Sequence, residues 1–217
     1  MSISPNASTS RLVLKGVIIA VLATAAGIWS ARLVLQRPVV EDELAATRFP
    51  VARTVQPFAL IDHNHEVFDN AALQQRWSFV FFGYTYCPDV CPTTLSVLNS
   101  IAQRLQDVDE DEDIRFVMVT VDPQRDTPER LAEFVTYFNG DFLGVTGSDQ
   151  ALEQLTSQLG ILYNRVESEP GSENYLVDHT AAVFLFDPDG RYHAVFTPPL
   201  SAENIASDFR KMLQATR

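Results

Sequence analysis

Apolar and polar positions from Phe58 onward fall into blocks whose period changes from one block to the next. FALIDHNHEVF (58–68) reads as two short strand pieces around a polar turn. WSFVFFGY (77–84) is a continuous apolar run, as expected of a strand covered on both faces. Leu95, Leu98, Ile101, Ala102 and Leu105 then recur at helical spacing and predict an amphipathic helix over 92–106. IRFVMVTV (114–121) is a second buried strand. Thr127-Pro128 opens another helix, with threonine placed to cap free amides and proline at the first helical position. Its inner face is Leu131, Phe134, Val135 and Phe138. Ser148 caps a third helix that turns Leu152, Leu155 and Leu159 inward and ends at Gly160. TAAVFLF and RYHAVF flank Asp187-Pro188-Asp189-Gly190, a hairpin turn. Ser201 opens the last helix, with Ile205, Phe209, Met212 and Leu213 inward.

The order is strand, helix, strand, helix, helix, hairpin, helix. It predicts an α/β sandwich of three layers around a central mixed sheet, occupying 55–217, and it resembles a thioredoxin-like fold with an insertion. Residues 36–54, with Pro38, the acidic run Glu41–Glu43 and Pro50, read as a linker. Ahead of them, 12–35 is nearly all apolar, with Lys15 and Arg32 bounding an uncharged stretch. As a helix these 24 residues would span roughly 36 Å against a hydrocarbon core of ~30 Å, with Trp29 near one interface. The expectation is one transmembrane anchor preceded by a short tail, 1–11. The rival is a cleaved signal peptide, with Ala23-Thr24-Ala25 as its small-residue site, but the apolar run continues past that point. Either reading exports the domain. A bacterial inner membrane, single-pass, with the domain facing the periplasm, is the simplest location.

Charge sharpens this division. Of the formal net charge of −12, residues 1–40 carry +4 from Arg11, Lys15, Arg32 and Arg37 and no acid, so 41–217 carry −16. An acidic domain of this kind is unsuited to nucleic acid, whose phosphates call for clustered Lys and Arg.

The chain has two cysteines, Cys87 and Cys91, both in FFGYTYCPDVCPTTL (81–95). The strand ends near Gly83 and the helix begins near Cys91 or Pro92, so Cys87 is a loop residue and Cys91 lies at the first helical turn. The helix N-terminus lowers thiol pKa values, of Cys91 and also of Cys87. Three uses are open. A staple disulfide closing so short a loop stabilises little. A redox dithiol is possible, although three intervening residues depart from the usual two. A metal site would need a further ligand, and two thiolates with one imidazole suit copper.

Four histidines compete for that place. His63 and His65 flank a polar turn and read as solvated. His193 lies mid-strand in the hairpin and reads as a partly exposed sheet position. His179 directly precedes TAAVFLF, after the polar loop 167–178, at the place beside the cysteine loop that a thioredoxin-like sheet gives to a cis-proline. Spacing alone leaves its ligand role open. The loop's composition suggests a mobile carrier of His179. Asp122-Pro123-Gln124-Arg125-Asp126-Thr127-Pro128 leaves the second strand at the sheet edge where ligands bind in α/β folds. There Asp122 or Arg125 either orients the site or docks a partner, or the segment is a cap with a local ion pair. Asp89 is a partner contact or solvated, and Tyr84 and Tyr86 wall the site or pack the core.

FGYTYCPDVCPTTL, VTVDPQRDTPERL and YLVDHTAAVFLFDPDG, in that order, resemble the signatures of the Sco/SenC family of copper-binding, thioredoxin-like assembly proteins. DHNHE (62–66) departs from the family's glycine-containing turn, and Thr120 stands where serine is common. The resemblance implies that Cys87, Cys91 and His179 bind copper, as Cu(I) or Cu(II), one ion per domain. It also implies a metallochaperone that delivers copper to the CuA site of cytochrome c oxidase subunit II, or reduces that site's cysteines. The alternative is a thiol–disulfide oxidoreductase without metal transfer, with Cys87 or Cys91 as its redox-active nucleophile.

Overall fold

The computed structural model describes residues 17, 20–25, 27, 29, 46–108, 113–167 and 175–216. It divides into two units, Met1–Glu43 and Leu44–Arg217. In the first, the described residues between 17 and 29 are helical. Most of the expected anchor lies outside the described residues, and among those described no helix is long and apolar enough to cross a membrane.

In the second unit the described strands are β1 (Ala46–Arg53), β2 (Ala59–Asp62), β3 (Val67–Asp69), β4 (Trp77–Gly83), β5 (Ile114–Thr120), β6 (Leu143–Thr146), β7 (Tyr163–Glu167), β8 (Tyr175–His179), β9 (Val183–Phe186) and β10 (Tyr192–Phe196). The described helices are α1 (Val90–Arg104), α2 (Pro128–Phe138), α3 (Asp149–Leu159) and α4 (Ala202–Thr216). Eight strands form one sheet in the order β1-β10-β9-β4-β5-β6-β2-β3, and β7 and β8 pair separately. β4–β5 and β5–β6 are parallel; the other pairs are antiparallel. The sheet is therefore mixed, as the order of elements predicts.

All seven residues of β4 are buried, so both of its faces are covered. Phe79 stacks on Phe116 at 5.1 Å and meets Phe209 of α4 edge-on at 5.2 Å, joining sheet to helix. The helix starts follow their local chemistry. Thr127 accepts the Arg130 amide and Ser148 accepts the Ala151 amide. Gly160, at φ 70°, closes α3 in the left-handed region.

Three expectations need correction. Residues 46–53 are not linker: they form β1, an edge strand on β10, and Pro50 sits where the pairing register shifts, which an edge tolerates. LGVT forms β6, too short to signal itself and set by pairing with β5 and β2. The stretch 167–178 is not all loop, because 175–179 form β8 against β7; residues 168–174 lie outside the described residues.

The register places the site. Gly83 at the end of β4 pairs with Thr120 at the end of β5, so the segments after both strands leave the same edge side by side. β9 runs antiparallel to β4, with Val183 opposite Phe81, so the residues entering β9 arrive at that edge too. Three chain segments, 84–89, 121–127 and 179–182, thereby meet at one place.

Candidate metal centre

Cys87 lies in the loop after β4 and Cys91 in the first turn of α1. The Cys91 amide, one of the helix's free donors, points at Cys87 Sγ, 3.3 Å away. His179 ends β8, and its Nε2 lies 3.4 Å from Cys91 Sγ. One ligand atom from each of Cys87, Cys91 and His179 lies within 4.8 Å of the other two. Neither cysteine is in a disulfide.

The imidazole is oriented from behind. Nδ1 lies 3.3 Å from the Thr180 carbonyl oxygen. A carbonyl only accepts, so the proton belongs on Nδ1 and the Nε2 lone pair faces the thiols. Phe81 and Tyr84 hold the ring edge-on at 5.9 Å each. Gly83 makes room: a Cβ there would lie 2.9 Å from Cys91 Sγ and 2.6 Å from Phe81 Cε1.

The two thiols are not equivalent. The neighbouring Cys91 thiol draws Cys87 far below the ordinary thiol value; burial opposes this, and the amides of Asp89 and Cys91 add to it. Cys91 moves up, because its proton is shared toward the Cys87 sulfur and because it is buried. Cys91 is 0% exposed and Cys87 9%. The expectation that Cys91 leads in forming thiolate is thus reversed. The helix N-terminus acts mainly on Cys87, which receives the Cys91 amide, while Cys91 sits deeper and beside that charge.

The other histidines are elsewhere. Exposed His65 pairs with Glu129 at 3.2 Å, and His63 Nδ1 accepts the Gly144 amide. His193 is buried, not partly exposed; its ring meets Trp77 edge-on at 5.3 Å, and Trp77 in turn meets Phe209 of α4 at 5.4 Å. Tyr84 is buried and its hydroxyl accepts the Val177 amide of β8, whereas Tyr86 is half exposed.

Sequence reasoning passed over the joint role of Asp122 and Asp126. Both are 0% exposed. Asp126 accepts the Thr85 amide and the hydroxyls of Thr85 and Thr120. Burial pushes its carboxyl above the usual range, against those three hydrogen bonds. Asp122 accepts the Tyr175 hydroxyl and pairs with Arg125. The available signal was the density of charge directly after an apolar strand, where only paired groups are buried.

The donor set fits a soft ion. Ligands held ~2.0–2.3 Å from one centre lie about 3.5–4 Å apart, which the three atoms reach with small adjustments. Two thiolates and an imidazole suit copper, whereas a structural zinc site calls for four ligands. Among the described residues this is the one Cys/His/carboxylate group arranged to hold an ion.

Comparison with known proteins agrees. A family profile described as SCO1/SenC matches residues 47–214. A SCO2-like protein of Rickettsia prowazekii is 38% identical over 154 residues, 71% of this chain and 74% of the relative. The solution structure of apo Sco1 from Thermus thermophilus superposes with a TM-score of 0.70 at 30% identity, covering 78% of this chain and 96% of the other. The crystal structure of Arabidopsis thaliana ScoI with copper bound gives 0.69 at 26% identity, covering 74% and 98%.

Proposed function

The chain belongs to the SCO1/SenC family, and from that premise we propose that it is a copper chaperone acting in the assembly of cytochrome c oxidase. Cys87, Cys91 and His179 carry the ion, and the receiver is the CuA site of subunit II. The observation that carries the reading is the convergence of two sulfurs and one imidazole nitrogen within 4.8 Å. Both cysteines bind as thiolates, so an oxidised pair takes up no metal, and the redox state of the surroundings gates loading. The apolar stretch 12–35 anchors the chain in a bacterial inner membrane, with the acidic domain in the periplasm.

A second reading draws on the thiol asymmetry. Cys87 is the lower-pKa and more accessible thiol, which suits attack on a partner's disulfide. Its thiolate would form a mixed disulfide. Cys91, after losing its proton, would attack Cys87 Sγ and release the partner as a dithiol, leaving Cys87–Cys91 oxidised.

Titration of the reduced protein with Cu(I) and Cu(II) separates the two. The chaperone reading expects one equivalent bound tightly, and about tenfold or greater weakening in His179→Ala. Failure to bind copper, with turnover of a disulfide substrate that His179→Ala leaves intact, replaces it with the reductase reading.

A further inference from the structure

The metal centre is assembled from two separate pieces of chain. The thiols come from the 84–91 segment, and the imidazole ends β8, a strand of the two-stranded β7–β8 pair outside the main sheet. One bond joins β8 directly to the cysteine segment, from the Val177 amide to the Tyr84 hydroxyl at 3.1 Å. The turn after β5 supplies further ties, to both pieces at once.

That turn is one compact loop: the amides of Arg125 and Asp126 both donate to the Asp122 carbonyl, at 3.2 and 3.0 Å. Its two carboxylates point to different partners. Asp126 takes the Thr85 amide at 3.0 Å and the Thr85 hydroxyl at 2.6 Å, two residues before Cys87. Thr120, at the end of β5, donates to the same carboxylate at 2.6 Å, which ties it to the sheet. Asp122 takes the Tyr175 hydroxyl at 2.6 Å, at the start of β8. Arg125 is ion-paired with Asp122, donates to the Tyr175 carbonyl at 3.2 Å and stacks its guanidinium 3.6 Å from the Tyr175 ring. β7 is held as well, through Arg165 to Gln124 at 2.9 Å.

We propose that the Asp122–Asp126 turn is a clamp. Asp126 grips the thiol loop, Asp122 with Arg125 grips the imidazole-bearing strand, and together they set the separation between His179 and the two sulfurs. The proposal rests on the copper reading above. The hydrogen bonds and ion pairs described for Asp122, Arg125, Asp126, Thr85 and Tyr175 do not reach the ligand atoms, so these are positioning residues. The two grips act through different ligands, and that makes them separable. Loosening the Tyr175 grip frees the imidazole. Loosening the Thr85 grip disturbs the thiols.

Two mild variants test this in the reduced full chain: Tyr175→Phe, which keeps the stacked ring and removes the hydroxyl, and Thr85→Val, which keeps shape and removes the donor. Each is also made with His179→Ala. Tyr175→Phe is expected to weaken Cu(II) binding about tenfold, the scale of one hydrogen bond to a charged group. In the His179→Ala background the same change is expected to alter affinity less than about twofold, because its route of action is gone. Thr85→Val is expected to weaken binding equally in both backgrounds. Loss of nitrogen hyperfine coupling in the Cu(II) spectrum of Tyr175→Phe supports the assignment. Equal effects of Tyr175→Phe in the two backgrounds overturn it, as does unchanged affinity in the parent. A copper-free measurement stands beside these: amide exchange at Val177, which bonds to Tyr84, is expected to quicken about tenfold in Tyr175→Phe, and an unchanged rate rejects the clamp. If the parent chain takes up no copper, the chaperone reading fails while the exchange measurement still decides the clamp.

Discussion

Gly83 lacks a side chain because the candidate metal centre and the ring beside it leave no room for one. The space a Cβ needs is filled by Cys91 Sγ and the Phe81 ring, both buried. Gly83→Ala is therefore expected to cost about 1–3 kcal/mol of stability through overpacking and to weaken copper binding by pushing the inner sulfur aside. Denaturant unfolding and a copper titration on one sample check both, and normal copper affinity in Gly83→Ala would refute the steric account. The thiol asymmetry makes a separate prediction. At about pH 6, well below an ordinary thiol's pKa, iodoacetamide is expected to label Cys87 and spare Cys91. With Cys87 already ionised, copper uptake near pH 7 is expected to release about one proton, that of Cys91, where two ordinary thiols would give nearly two. Calorimetry in buffers of different ionisation enthalpy measures the number.

At the level of elements, the strongly patterned pieces were legible in the sequence, the short β2, β3 and β9 among them, and β1, β6, β7 and β8 were not. β4, β5 and the four helices announce themselves through apolar runs, helical spacing and caps at Thr127 and Ser148. β6 and β8 carry too few residues to signal alone; they exist because β5 and β7 supply ladders for them. The candidate ligand residues could be named individually, but their convergence depends on register, above all Phe81 opposite Val183 and Gly83 opposite Thr120. The β9–β10 hairpin shows how one carboxylate fixes a turn. Asp187 accepts the amides of Asp189 and Arg191 and the Arg191 guanidinium. Burial alone would raise its pKa, but the neighbouring His193 ring and Arg191 outweigh it and hold the carboxyl below the usual range. A lowered carboxyl stabilises the fold above the unfolded-state value, about 4, and that contribution is lost as pH falls through the lower native value. Asp187→Asn is expected to cost about 1–3 kcal/mol at neutral pH and to flatten the loss of stability below about pH 4. Melting curves across that range that keep the parent's acid limb would contradict the assignment.

For the whole molecule, the site belongs entirely to the unit Leu44–Arg217. A fragment starting at residue 44 is expected to bind copper as the full chain does, and a weaker fragment would show that the first unit contributes. Copper at a hundredfold excess over its dissociation constant stabilises a folded domain by about 2.7 kcal/mol. For a domain this size that is expected to raise the melting temperature by roughly 5–10 °C. Cys87→Ser should abolish the shift. The depth of Cys91 has one more consequence. On the chaperone reading, an incoming acceptor would touch only the outer sulfur and the half-buried ring, so relay of the cargo would have an obligatory sequence. The acceptor would displace Cys87 or His179 first, with Cys91 still attached, and the innermost sulfur would let go last. Hand-off would thereby be one-sided, and a metal scavenger too bulky to reach Cys91 would strip the ion only as fast as the protein opens.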